Sequence, residues 1–154
     1  MHCNMTAVLI VAHAPLASAL RDVAAHVYAD CGHPVRALDV APQATPEAVQ
    51  TAARALMADA GESDWLVLTD VYGATPCNAA LGLAVPGRVR VVSGVNVPML
   101  WRTLCYVDEP LDSLAARAVA GAQQGVMPLA PPVRPQNQDP RTLTRDPVDH
   151  HHSQ

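Results

Sequence analysis

Two side chains have the types and the placing to carry a group between molecules. His13 directly follows one apolar run and Asp70 directly follows another. A carboxylate that accepts from one imidazole nitrogen leaves the other as a neutral, nucleophilic lone pair, and it stabilises the cationic ring formed once a phosphoryl group arrives. Each residue also has a plain structural use: a histidine can simply pack or face water, and an aspartate at a strand end commonly bonds nearby amides. A helical segment starts just after His13, which places the imidazole near backbone N–H groups and the positive end of a helix dipole. That setting suits phosphate better than a hydride or a metal.

Two loops at corresponding places strengthen the anion reading. The stretch Asp70-Val71-Tyr72-Gly73-Ala74-Thr75-Pro76-Cys77-Asn78 leads from strand to helix through a glycine turn, with Thr75 as the expected N-cap and Pro76 at the first helical position. The amides of Gly73, Ala74 and Thr75 can then surround a phosphate, or the segment is a well-made turn with no ligand. Ser93-Gly94-Val95-Asn96-Val97-Pro98 forms the second loop, with Ser93 as a candidate donor to an anion and Asn96 as a candidate cap. Its plain alternative is a simple helix entry. Cys77 falls in a helix's first turn, where a thiol can become redox-active, but no resolving cysteine sits nearby in the sequence.

The elements that must position these residues alternate in type. Apolar runs at residues 6–12, 35–40, 65–69 and 88–92 have strand length, and three are rich in Val and Leu, as strands buried on both faces should be. Helical periodicity fills the gaps. Leu16, Leu20, Val23, Val27 and Cys31 mark a first helix between Pro15 and Gly32, and Thr45 caps a second through Val49, Ala53, Leu56 and Met57 to Gly61. A third begins at Thr75-Pro76, a fourth near Pro98, and a fifth covers 111–124 with Leu114, Ala118 and Val119 inward. A last short strand is expected over 125–130. This order predicts a single α/β domain, a doubly wound, mostly parallel sheet with helices on both faces, in which ligands bind beyond the strands' carboxyl ends. The first and third strands of such a sheet are neighbours, which would bring His13 and Asp70 together.

Composition narrows the field. The chain has 154 residues, 50% hydrophobic and 16% charged, enough for one domain with a sizeable core, over residues 1–130. All ten cations are arginines, so Schiff-base and P-loop lysine chemistry is excluded, and the net charge of −4 disfavours nucleic acid. Cys3, Cys31, Cys77 and Cys105 form no C-x-x-C pair, which signals neither disulfides nor a zinc site and fits a reducing cytoplasm. The run at 7–12 is far too short to span a bilayer, and a signal-peptide pattern is lacking. Six of the 14 prolines fall between Pro128 and Pro147 amid polar residues, so 131–154 is expected to be a disordered tail. Its triplet His150, His151 and His152 reads as a solvated terminus rather than a metal site.

Three motifs in order carry a family likeness: Val-Ala-His-Ala ending the first strand, Thr-Asp-Val-Tyr-Gly-Ala-Thr-Pro-Cys-Asn after the third, and Val-Ser-Gly-Val-Asn-Val-Pro-Met-Leu after the fourth. Over residues 6–129 the chain resembles the mannose-type enzyme IIA domains of the bacterial sugar phosphotransferase system. The resemblance implies a homodimeric phosphocarrier that needs no metal or cofactor. Its histidine takes a phosphoryl group from HPr and passes it to a IIB domain, meeting the membrane only through a permease complex. His13 matches the phosphorylated histidine, Asp70 the acid that bonds its ring, and Gly73, Ala74, Thr75 and Ser93 the phosphate surround. Ala14 and Ala74 stand where the family usually has glycine, and an alanine is strained wherever φ must be positive. Two other roles stay open: a regulatory phosphoprotein whose state controls binding of an effector, and the phosphotransfer subunit of dihydroxyacetone kinase, whose N-terminal domain is similar.

Overall fold

The computed structural model describes residues 6–29, 32–61 and 63–133. Cys3, Cys31, most of the proline-rich stretch and the histidine triplet therefore lie outside the described residues. The elements run β1 (Thr6–His13), α1 (Leu16–Val27), β2 (Val35–Val40), α2 (Pro46–Ala58), β3 (Asp64–Thr69), α3 (Thr75–Leu81), β4 (Val89–Ser93), α4 (Val97–Cys105) and α5 (Leu111–Gln124). All four strands are parallel in the order β2-β1-β3-β4, so the expected doubly wound architecture is the one observed.

Strand alternation divides the core in two. Val8, Ile10, Leu66 and Leu68 point to one face, where Leu20, Met99, Leu100, Leu104 and Leu114 of α1, α4 and α5 cover them. Leu9, Val11, Trp65 and Val67 point to the other, under Val49 and Ala53 of α2 and Ala79 and Ala80 of α3. Six consecutive residues of β1, Ala7 to Ala12, are fully buried, which only a central strand covered on both faces allows. Hydrophobic burial on this scale, ~25 cal/mol per Å² of apolar surface, is what anchors the strand ends.

The caps of two helices match expectation. Thr45 Oγ1 accepts from the Ala48 amide at 3.2 Å, and Asn96 Oδ1 accepts from the Met99 amide at 2.8 Å. Four details differ. The buried stripe of α1 is Ala17, Leu20 and Ala24, while Leu16, Val23 and Val27 face outward, because small alanines let the helix lie close on the sheet. On α5, Leu114 and Ala118 are inward as expected but Val119 is exposed. The expected strand over 125–130 does not form: these residues have no strand pairing, and Val126, Met127 and Leu129 are exposed. The N-cap of α3 is Ala74, which makes Thr75 the first helical residue and Pro76 the second.

Candidate functional site

β1 and β3 are adjacent, with Val11 opposite Thr69, so their chains leave the sheet side by side at the same edge. His13 is the last residue of β1 and Asp70 the first beyond β3. Asp70 Oδ2 lies 2.6 Å from His13 Nδ1 and also accepts from the His13 amide at 3.0 Å, while Oδ1 accepts from the Val71 amide at 2.8 Å. Both oxygens are engaged, and one residue is held by side chain and main chain together.

Burial pushes the Asp70 carboxyl up, but the His13 amide and ring and the Val71 amide outweigh it and hold the group below its ordinary value of 3.8. An ionised carboxylate can only accept, so in the neutral ring Nδ1 carries the proton and Nε2 holds the lone pair. The His13 side chain is 49% exposed and that of Asp70 only 12%, so the acid sits beneath the ring and the ring faces solvent. Nearby, Val71 and Tyr72 are exposed, Tyr72 at 81%.

The loop after Asp70 takes its shape from one glycine. Gly73 has φ +85°, whereas Ala74 has φ −89° and ψ 168°, an ordinary extended residue. The alanine in place of the family's second glycine is therefore unstrained, since the left-handed residue is the one before it. The Asn78 amide donates to the Ala74 carbonyl at 2.9 Å and its side chain to the Gly73 carbonyl at 3.3 Å. Among the described residues, the amides of Gly73, Ala74 and Thr75 donate to no protein acceptor and remain open to an anion. Ser93 is placed differently. It is the register partner of Thr69 on β4, two strands from β1, or ~10 Å across the sheet, and makes no hydrogen bond with His13 or Asp70. Cys77 is buried within α3 and away from solvent.

Sequence reasoning missed Asp39 and Ser18. Asp39, near the end of β2, is the only acid in that strand, and such a charge in an apolar strand was the available signal. Its Oδ2 accepts from Ser18 Oγ at 2.6 Å and its Oδ1 from the Ser18 amide at 3.0 Å. The expected open, anion-binding start of α1 is thereby corrected: a carboxylate of the protein already occupies it.

Comparisons with known proteins bear on the family and the fold. The family model described as the PTS system fructose IIA component, EIIA-man, matches residues 7–119. The chain belongs to the EIIA-man family. It is 40% identical over 67 residues, 42% of the chain, to the mannose-specific EIIAB component of the phosphotransferase system in Escherichia coli K12, and equally to that of Shigella flexneri. The matched segment spans 21% of those relatives' length. Among solved structures, the mannose/sorbose-specific IIA subunit from Enterococcus faecalis superposes with a TM-score of 0.74 at 23% identity, covering 85% of this chain and 99% of that one. Component EIIA from Streptococcus agalactiae gives 0.71 at 22% identity, covering 80% and 97%. Both structures share the fold of this chain. Among the described residues of this member, no helix is long and apolar enough to cross a membrane, and no cluster of His, Cys, Asp or Glu could hold a metal ion.

Proposed function

We propose that this EIIA-man chain is a cytoplasmic phosphocarrier of the sugar phosphotransferase system, acting through a phosphohistidine at His13. The observation that carries the reading is the 2.6 Å contact of Asp70 with Nδ1 of a half-exposed ring, whose Nε2 has no hydrogen-bond partner among the described residues. The lone pair of Nε2 attacks the phosphorus of phosphorylated HPr. The N–P bond of the donor breaks, and its electron pair returns to the donor imidazole. His13 is cationic while it carries the phosphoryl group, and the Asp70 carboxylate balances that charge. Transfer to a IIB domain runs the same step outward.

The protein contributes position and charge rather than new covalent chemistry. The open amides of Gly73, Ala74 and Thr75 surround the phosphoryl oxygens, and Ser93 bounds the edge on the β4 side. Exposed Val71, Tyr72 and Leu16 give the carriers apolar contact around the ring. Among the described residues β4 has no strand beyond it, only the single bridge of Val89 to Val85, and Val126, Met127 and Leu129 are exposed beyond α5, which supports a homodimer that covers them.

Incubation with phosphoenolpyruvate, enzyme I and HPr tests the reading. The protein should be labelled with acid-labile phosphate and His13→Ala should not. Equal labelling of the two, or none of the intact protein, overturns it.

A further inference from the structure

β1 ends between two carboxylates. Asp70 lies beyond β3 on one side, and Asp39 belongs to β2 on the other, opposite Ala12 in register. Asp70 grips His13 itself. Asp39 grips the helix that leaves it, accepting from the Ser18 hydroxyl and amide, and its charge also acts on the Ala17 amide. The residue at the N-cap of α1 is Pro15, which has no side-chain acceptor, so the helix borrows its cap from a strand 21 residues away.

The donors of the β1–α1 turn can be accounted for almost completely. The His13 amide goes to Asp70, the Ala14 amide goes to the Val40 carbonyl at 3.0 Å, and Pro15 has none. The Ser18 amide goes to Asp39, the Ala17 amide lies beside the same carboxylate, and Ser18 Oγ also lies 3.1 Å from the Pro15 carbonyl. Every group that could pull a phosphoryl oxygen toward α1, the Leu16 amide excepted, is committed within the protein or lies against the Asp39 carboxylate.

We propose that Asp39 is a positioning residue of the phosphoryl-transfer site: it fixes the turn on which His13 is carried and closes the start of α1 to phosphoryl oxygens. Its fixed negative charge repels an anion from that side, so the phosphoryl group on Nε2 is directed to the open amides of Gly73, Ala74 and Thr75. The proposal rests on the phosphocarrier reading for its effect on transfer, but the closure of α1 can be tested without any carrier.

Three variants separate the roles. Asp39→Ala uncaps α1. Asp39→Asn keeps a side-chain acceptor for an amide and removes the charge. Ser18→Ala keeps the carboxylate and its amide bonds. In wild type, inorganic phosphate should leave the Ala17 and Ser18 amide resonances unmoved, whereas in Asp39→Ala both should shift on titration, a response that loss of stability alone does not produce. Phosphoryl transfer from HPr should fall by roughly tenfold or more in Asp39→Ala, as misplacement of a reacting group predicts. It should fall less in Asp39→Asn and least in Ser18→Ala. If Asp39→Ala does not fold, Asp39→Asn serves for both measurements, with smaller shifts of the same two amides expected. Phosphate-induced shifts in wild type equal to those in the variants, or transfer at the wild-type rate by folded Asp39→Ala, would overturn the proposal. If wild type accepts no phosphoryl group, the phosphocarrier reading falls by itself, and the titration still decides whether Asp39 closes the helix.

Discussion

Asp70 binds His13 twice through one oxygen: Oδ2 is 2.6 Å from the ring Nδ1 and 3.0 Å from the same residue's amide. The acid therefore sets both the tautomer of the imidazole and the height at which β1 presents it. Asp70→Asn keeps the shape but can turn an N–H toward Nδ1, favouring the tautomer whose Nε2 is protonated and unable to attack. Loss of the corresponding acid in a catalytic triad costs about 10⁴ in rate. Here transfer from phosphorylated HPr is expected to drop by at least roughly 10² on the same physical ground. Rapid-quench labelling measures it, and a rate close to wild type would remove Asp70 from the site.

The same carboxylate makes stability depend on pH. Its folded pKa lies below the ordinary 3.8, so the unfolded chain binds its proton first as pH falls. The contribution is complete well above 3.8 and is lost as pH drops through the folded value. Denaturant curves should show wild type more stable than Asp70→Asn near neutral pH, with the gap narrowing from about pH 5 downward and closing at strongly acid pH. A gap that is constant down to acid denaturation would contradict the assignment.

Gly73→Ala and Ala74→Gly should both destabilise the protein, the first by more. A Cβ on Gly73 meets nothing within 4 Å, so the penalty of Gly73→Ala is the left-handed backbone alone, about 1–2 kcal/mol. Ala74→Gly relieves no strain at φ −89° and should cost about 0.4–1 kcal/mol through the looser unfolded chain. Thermal unfolding of the two variants checks the order. A larger loss for Ala74→Gly would mean that the strain lies elsewhere.

Thr69 carries a hydroxyl that is wholly buried and has no partner among the described residues. Valine has nearly the same shape without that polar atom, so Thr69→Val should raise stability by about 1 kcal/mol. Because Thr69 precedes Asp70 without bonding it, transfer through His13 should stay within about threefold of wild type, short of the tenfold that 1.4 kcal/mol would bring. Chemical denaturation and the labelling assay together decide, and a destabilised variant would show that the hydroxyl is satisfied.

Periodicity and end signals were enough to read four strands, five helices and the nearness of His13 and Asp70, because alternation of apolar strands and amphipathic helices leaves few ways to bury both faces of a sheet. Local rules also located the caps at Thr45 and Asn96, whose acceptors lie three residues from their donors. They failed where partners are distant in sequence or compete. Asp39 caps α1 across 21 residues, so nothing near Ser18 announces it. Alanines rather than the larger Leu16, Val23 and Val27 face the sheet in α1, since close approach outweighed side-chain size there. Which carboxylate would hold the histidine and which the helix depended on strand order β2-β1-β3, a property of the assembled sheet and of no single segment.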